Sequence, residues 1–211
     1  MPRAMPLLSK RLAAEIVTAT DLARAGELIR ADPSGRTRGR HYMTMTRLEN
    51  LYEFAYLRVF LAWETFLEET FVRYLCGFQM LSGPPTLIGA AYPTLADART
   101  GILGGRDWVS WYPDAVERRS GLFLSNGPHE LVIRSNKTRL NHFLAIRHRI
   151  AHSSAHTRTQ FDQATTSLAG RRYTGSSAGR FLRDHQPTNP TQRWLFVIGD
   201  ELGGLASQIS R

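Results

Sequence analysis

Apolar residues recur every three or four positions along several long stretches of this chain, which is the spacing of one face of an α-helix. One stretch, residues 8–30, predicts a first helix. Residues 44–77 carry two apolar stripes on nearly opposite sides, which predicts a long central helix packed between neighbours. Later stretches predict helices from about 136 to 152 or 153, near 157–168, and from 192 to 209.

The middle of the chain has weaker patterns. Residues 86–105 are predicted to form a loop with one short helical turn at most, and Asp107 to cap a helix that Pro113 kinks or splits. The break at 125–128 also allows a hairpin tip. With about five to six helices and no regular strand alternation, the predicted class is all-α: a helical bundle with a long central helix. One domain is expected over residues 1–211, with its core at about 45–165.

Charge and cysteine content restrict the partners and the compartment. The formal net charge is +9, and only Lys10 and Lys137 among the cations are lysine. A basic, arginine-rich surface favours RNA, because a guanidinium binds phosphate and stacks on bases; a compositional bias towards arginine explains the charge equally well. Cys76 is the only cysteine, which excludes an internal disulfide and a cysteine-based metal site. Without an 18-residue apolar run or a secretory signal, a cytoplasmic protein outside the membrane is expected.

The helix predicted from residue 136 carries an arginine among apolar residues. On an ideal helix, Arg147 falls near the middle of the face that gathers Leu140, Phe143, Leu144, Ile150 and Ala151. A buried guanidinium is costly unless it is paired, so Arg147 needs a structural partner or a functional task. Glu64 interrupts the second apolar stripe of the long helix and is predicted to orient Arg147; the alternative is that Glu64 faces a gap or solvent.

His152 lies about 140° further round the same ideal helix than Arg147. The two side chains can converge on one substrate if the helix frays at His152, or if two copies of the helix meet across a two-fold axis. The second arrangement predicts a homodimer with a composite site.

Arg147-His148, three further residues and His152 match the arginine, polar residue, three residues, histidine signature of the HEPN superfamily. Residues 144–154 resemble the Ile-Arg-Asn-x-Ile-Ala-His phrase of its prokaryotic members, with His148 in place of the commoner asparagine. Residues 48–76 look like the second helix of that family. The resemblance covers about residues 45–165 and implies a metal-independent endoribonuclease without a cofactor. It also implies a toxin or phage-defence effector that acts as a dimer, with a cognate antitoxin or a sensor protein as a partner.

The resemblance gives each residue of the motif a role. His152 would be the general acid or base, Arg147 the clamp on the phosphate, and His148 an assisting donor, with Glu64 orienting the arginine. Attack by the 2′-hydroxyl of RNA would leave 2′,3′-cyclic phosphate and 5′-hydroxyl ends. The residues predicted to bind RNA are Arg149, Arg171, Arg172 and Arg180. The last three flank a glycine- and serine-rich connector at 173–179, for which a surface linker is the alternative.

Other interpretations stay open. His148, His152 and His156 are four residues apart and resemble a zinc-ligand ladder, although Ser153 and Ser154 are expected to end the helix before His156. A non-catalytic HEPN-like module that binds nucleic acid or a partner protein is the main rival to the nuclease. The basic loop at 32–40 and the aromatic residues Trp108 and Trp111 could contact RNA, but a solvated linker and core packing are the alternatives.

Overall fold

The computed structural model describes residues 3–31, 39–79, 83 and 85–211, and nearly all of their regular structure is helical. The helices are α1 (Leu8–Ala31), α2 (Gly39–Tyr42), α3 (Met45–Leu75), α4 (Leu95–Leu103), α5 (Pro113–Phe123), α6 (Pro128–Ser135), α7 (Lys137–Ala151), α8 (Ala155–Ala169), α9 (Ala178–Arg183) and α10 (Trp194–Ile209). The predicted all-α class is confirmed, with more helices than the five to six expected. None of the described helices combines the length and apolar character that crossing a bilayer requires.

Short strand pairs join some of the loops. Strand β1 (Arg3–Ala4) pairs in parallel with β2 (Phe78–Gln79), β3 (Thr86–Leu87) pairs antiparallel with β4 (Leu124–Ser125), and β5 (His185–Gln186) pairs antiparallel with β6 (Asn189–Arg193). Each pair is too short to form a sheet with a core of its own.

The chain divides into two compact units. The first comprises Met1–Leu12, Trp63–Asn141 and Leu202–Arg211, and the second comprises Ala13–Ala62 and His142–Glu201. The single domain expected from the sequence stays a prediction. The second unit contains the whole Arg147-to-His152 motif.

The second unit is organised around the N-terminal part of α3. The hydroxyl of Tyr56, which is fully buried, donates a hydrogen bond to the carbonyl oxygen of Phe143 at 2.7 Å and ties α7 to α3. The ring of Phe181 stacks on that of Trp194 with centroids 5.2 Å apart, and meets Tyr173 edge-on at the same distance. Buried aromatic rings therefore join α9, α10 and the connector before α9 into one core.

Phe71 is at the centre of the first unit. Its ring makes edge-to-face contacts with Trp111, Phe123 and His129, at centroid distances of 5.9, 6.1 and 5.2 Å. These contacts connect the C-terminal part of α3 to α5 and α6. Trp111 is buried, as the core-packing alternative expected, whereas Trp108 is 73% exposed.

Two predictions for the middle of the chain are wrong, and the hairpin that the sequence also allowed does not form. Residues 86–105 contain a nine-residue helix, α4, which Thr94 begins by accepting a hydrogen bond from the backbone of Asp97 and which Gly104 ends in the left-handed conformation. The helix predicted to begin after Asp107 begins at Pro113 instead, because proline is favoured at the first helical position, where its missing N–H is not needed. Residues 128–135 form α6 and not the second strand of a hairpin.

The long elements agree with the sequence. Five helices lie where the apolar periodicity predicted them: α1, α3, α7, α8 and α10. Their ends differ from the predicted ends by about two residues at most. The basic loop at 32–40 lies largely outside the described residues, which resume at Gly39.

Candidate functional site

The end of α7 carries the predicted motif. The helix ends at Ala151, and the N–H of His152 still donates to the carbonyl oxygen of His148 at 2.9 Å. His152 is therefore held by the last turn of the helix while its side chain is exposed. The predicted end of this helix is confirmed.

The turn after His152 is fixed by two polar side chains. Ser154 caps α8, because its hydroxyl oxygen accepts the N–H of Thr157 at 3.2 Å. The hydroxyl of Thr157 lies 3.0 Å from the carbonyl oxygen of His152 and 2.9 Å from that of Ser154. The backbone of His152 is thus anchored from both sides, to α7 and to α8.

Arg147 and His148 are each half-buried. The buried residues of α7 are Leu140, Phe143, Ala145 and Ile146. This face differs from the predicted one, because Leu144 and Ile150 are only half-buried and Ala151 is exposed. Arg147 therefore lies at the edge of the buried face of α7 and not at its middle.

The two histidines of the motif stand side by side. The imidazole centroids of His148 and His152 are 6.2 Å apart, with the ring planes tilted by 53°. Burial lowers the pKa of His148 below its ordinary value, and the positive charges of Arg147, His152 and His156 lower this pKa further. At neutral pH His148 is consequently uncharged, with one ring nitrogen that can accept a proton.

The effect of Arg147 on His148 can be measured directly. We expect Arg147→Gln to raise the pKa of His148 towards its ordinary value without restoring it, because burial, the largest cause of the shift, is unchanged. An NMR titration of the imidazole proton resonances measures this pKa, and the exposed His185 serves as the internal control. An unchanged pKa of His148 in the variant would show that the guanidinium does not act on this imidazole.

Glu64, the predicted partner of Arg147, lies on the part of α3 that belongs to the first unit, and it is half-buried. Its pairing with Arg147 stays a prediction.

The predicted RNA-binding arginines differ in their surroundings. Arg171 forms an ion pair with Asp184 and donates from Nε to the hydroxyl of Tyr173 at 3.1 Å, so its charge is largely used within the fold. Arg180 donates to the hydroxyl of Ser176 at 3.2 Å. Arg172 is exposed and lines an open groove on α8.

Arg149 is half-buried at the end of α7 and lines a cavity of about 140 Å³ together with Arg158 of α8. Arg158 was not among the residues predicted to bind RNA. No signal in the sequence identifies it, because its position beside Arg149 depends on how α8 folds back after the turn at 152–154.

The zinc ladder lacks the continuous helix that it requires. Helix α7 ends at Ala151 and α8 begins at Ala155, so His148 and His156 lie on different helices. Across the described residues, no three histidine, cysteine, aspartate or glutamate side chains cluster closely enough to hold a metal ion.

Comparison with known proteins finds no relative. A scan against protein-family models, a search of curated proteins and a search of solved structures each gave no match. The indications of function therefore come from the chain's own residues and from the short motif at the end of α7.

Proposed function

We propose that this chain is a metal-independent endoribonuclease whose active site is formed by Arg147, His148 and His152. The observation that carries the proposal is the placement of two imidazoles 6.2 Å apart at one helix end, next to an arginine in the preceding position. Neighbouring imidazoles can accept and donate protons near neutral pH, and a guanidinium can stabilise the negative charge that develops on a phosphate.

The reaction that suits these groups is attack of the RNA 2′-hydroxyl on the adjacent phosphorus. The bond between O2′ and phosphorus forms, the bond between phosphorus and O5′ breaks, and the products are a 2′,3′-cyclic phosphate and a 5′-hydroxyl. One imidazole accepts the proton of the 2′-hydroxyl, and the other delivers a proton to O5′. The lowered pKa of His148 favours it as the acceptor, which leaves His152 as the donor. Arg147 would bind the non-bridging oxygens of the phosphate.

The proposal includes the partners that the resemblance to HEPN proteins implies. The exposed side chain of His152 can face an RNA substrate or a second copy of the chain, and two copies around a two-fold axis would form one composite site. A toxin or defence role, with a cognate antitoxin or sensor protein that restrains the activity, belongs to the same proposal.

Incubation of the purified protein with RNA in EDTA tests the proposed activity. We expect the wild-type protein to cleave, and His152→Ala to lower the rate by roughly 10²- to 10⁴-fold, the usual contribution of a general acid or base. The matched control is His185→Ala, which removes another exposed imidazole of the second unit and should leave the rate unchanged.

Two outcomes would contradict the proposal in different ways. Wild-type protein that binds RNA in EDTA without cleaving it would be a non-catalytic binding module. Equal cleavage by wild type and His152→Ala would remove His152 from the mechanism.

A further inference from the structure

A second charged site lies in the same unit as the motif. It is the cavity of about 140 Å³ enclosed by the end of α7, by α8 and by the connector after α8. Arg149, Arg158, Asp162, Tyr173 and Ser176 contribute to its lining. Arg149 is two positions after Arg147, hence about 200° further round the helix and facing away from it, while His152 is three positions after Arg149 and is its neighbour along the helix.

The two guanidiniums of the cavity have no partner among the residues that the structure describes. Neither Arg149 nor Arg158 forms a hydrogen bond or an ion pair with another residue in the described part of the chain. Arg149 is half-buried and Arg158 is exposed, and two positive charges that line one cavity favour the binding of an anion there. A phosphate oxygen is the natural acceptor for such a pair of guanidiniums.

Asp162 adds a carboxylate to the lining of the cavity. The Oδ1 atom of Asp162 is buried and accepts no hydrogen bond in the described structure, and its carboxylate pairs with neither arginine of the cavity. A bare inorganic anion would be repelled by this group. A ligand that presents an anionic group to the arginines and a hydrogen-bond donor to the carboxylate of Asp162 would suit this lining.

The connector supplies one wall and one further polar group. Gly175 turns the chain there with φ of 72°, a conformation that favours glycine. The hydroxyl of Ser176 accepts a hydrogen bond from Arg180 at 3.2 Å, which leaves its own proton free to be donated to an anion. The hydroxyl of Tyr173 lies 2.6 Å from Asp184 and is used within the fold, so this residue contributes only its ring to the wall.

The size of the cavity restricts the ligand. A volume of about 140 Å³ is well below the 300–1,000 Å³ of pockets that enclose drug-sized molecules. It equals the volume of four or five water molecules at roughly 30 Å³ each. This is enough room for a phosphate group with the edge of its sugar, and too little for a whole nucleotide.

We propose that this cavity is a subsite for one backbone unit of an RNA, in which Arg149 and Arg158 bind a phosphate away from the cleaved bond and Asp162 accepts a hydrogen bond from a ribose hydroxyl. The inference rests on the proposed function for the identity of the polymer. It adds a preference for RNA over DNA that is independent of the chemistry at His152, because DNA lacks the 2′-hydroxyl as a donor.

The subsite is tested by binding of a labelled 12-nucleotide RNA, and of DNA of the same sequence, to the full chain carrying His152→Ala, which holds the RNA uncleaved. On that background we expect Arg158→Ala to weaken RNA binding by about tenfold, and to reduce the slope of log affinity against log salt by about 0.7, the value for one phosphate contact on a single strand. Asp162→Asn should lower the affinity for RNA while that for DNA stays the same or rises, which moves the RNA-to-DNA ratio towards one.

The matched control is Arg118→Ala, which removes an exposed arginine in the first unit. Three results would each overturn the subsite. Arg158→Ala could weaken RNA binding no more than the control does, Asp162→Asn could leave the ratio of RNA affinity to DNA affinity unchanged, or the protein could fail to bind RNA at all. Thermal unfolding of every variant separates these results from loss of folding.

Cleavage by the otherwise wild-type protein distinguishes this proposal from the proposed function. With active protein, Arg158→Ala should raise KM for RNA and leave kcat unchanged. Binding that depends on Arg158 in a protein that cannot cleave RNA would support the subsite and reject the nuclease. Cleavage of RNA with a KM that Arg158→Ala leaves unchanged would support the nuclease and reject the subsite.

Discussion

Replacing Gly179 by alanine is expected to lower the free energy of unfolding by about 3 kcal/mol, because the new methyl group would overlap backbone atoms that cannot move aside. A Cβ atom at this position would lie 2.1 Å from the carbonyl oxygen of Glu49 and 2.5 Å from its carbonyl carbon. The N–H of Gly179 also donates to the carboxylate of Glu53 at 2.8 Å. An alanine would therefore push α9 away from α3 and break this hydrogen bond in the second unit.

Urea unfolding of Gly179→Ala beside Gly204→Ala measures this effect. Gly204 lies inside α10, and beyond its chain neighbours and the backbone of that helix no atom of the described residues lies within 4 Å of the position that a Cβ atom would take. Alanine there should stabilise the protein by roughly 0.5–1 kcal/mol through helix propensity alone. Equal stability of the two variants would show that α9 does not approach α3 this closely.

Mild acid is expected to destabilise the protein through His129. This side chain is fully buried at the start of α6, and burial lowers its pKa to about 3, although a hydrogen bond to the carbonyl oxygen of Leu67 opposes the shift. The hydroxyl of Thr70 donates to the carbonyl oxygen of Phe66 at 2.8 Å, so its oxygen is left to accept from Nε2 of His129, which lies 2.9 Å away. The proton therefore belongs on Nε2, and Nδ1 is buried without a hydrogen-bond partner among the described residues.

The direction of the pH effect follows from the lowered pKa. The unfolded chain takes up a proton at the ordinary histidine pKa near 6.5, whereas the folded chain does so only near 3. Stability contributed by neutral His129 is thus complete above pH 6.5 and is lost as the pH falls towards 3, at up to about 1.4 kcal/mol per pH unit. Between pH 6.5 and 4.5 the loss amounts to about 2 kcal/mol for this group alone.

Urea unfolding at several pH values tests this assignment. His129→Leu should reduce the slope of the unfolding free energy against pH between 6.5 and 4.5 by up to about 1.4 kcal/mol per pH unit, which corresponds to one proton. This change in slope is expected whatever the substitution does to stability at pH 7. His185→Ala, which removes an exposed imidazole, should leave the slope unchanged. A slope that His129→Leu does not alter would assign the acid sensitivity to other groups.

The long helices could be predicted because their apolar periodicity persists over many turns. Helix α3 has 31 residues, so a few atypical positions do not obscure its pattern. Helix α4 has only nine residues, of which Ala98 and Ile102 are buried, and this is too few for a period to stand out. Its signals were the cap residues, Thr94 before it and Gly104 after it, and not the apolar spacing.

The candidate site was only partly predictable for a related reason. The motif from Arg147 to His152 is local, so the sequence could place its two histidines at one helix end. The neutralisation of Arg171 by Asp184 and the shared cavity of Arg149 and Arg158 join residues from different elements. Such contacts depend on how helices turn back on each other, which the spacing of residues along a single helix does not contain.

In the reaction that we propose, two imidazoles and an arginine at the end of α7 use the 2′-hydroxyl of RNA as the attacking group. Its most direct test is cleavage in EDTA of an RNA with one mapped cut, compared with the same RNA carrying a single 2′-deoxynucleotide on the 5′ side of that cut. We expect the all-RNA product to end in a 2′,3′-cyclic phosphate, and the single deoxy substitution to abolish cleavage at that bond. Cleavage that continues at the deoxy position, or products that end in a 3′-hydroxyl, would contradict the proposed reaction.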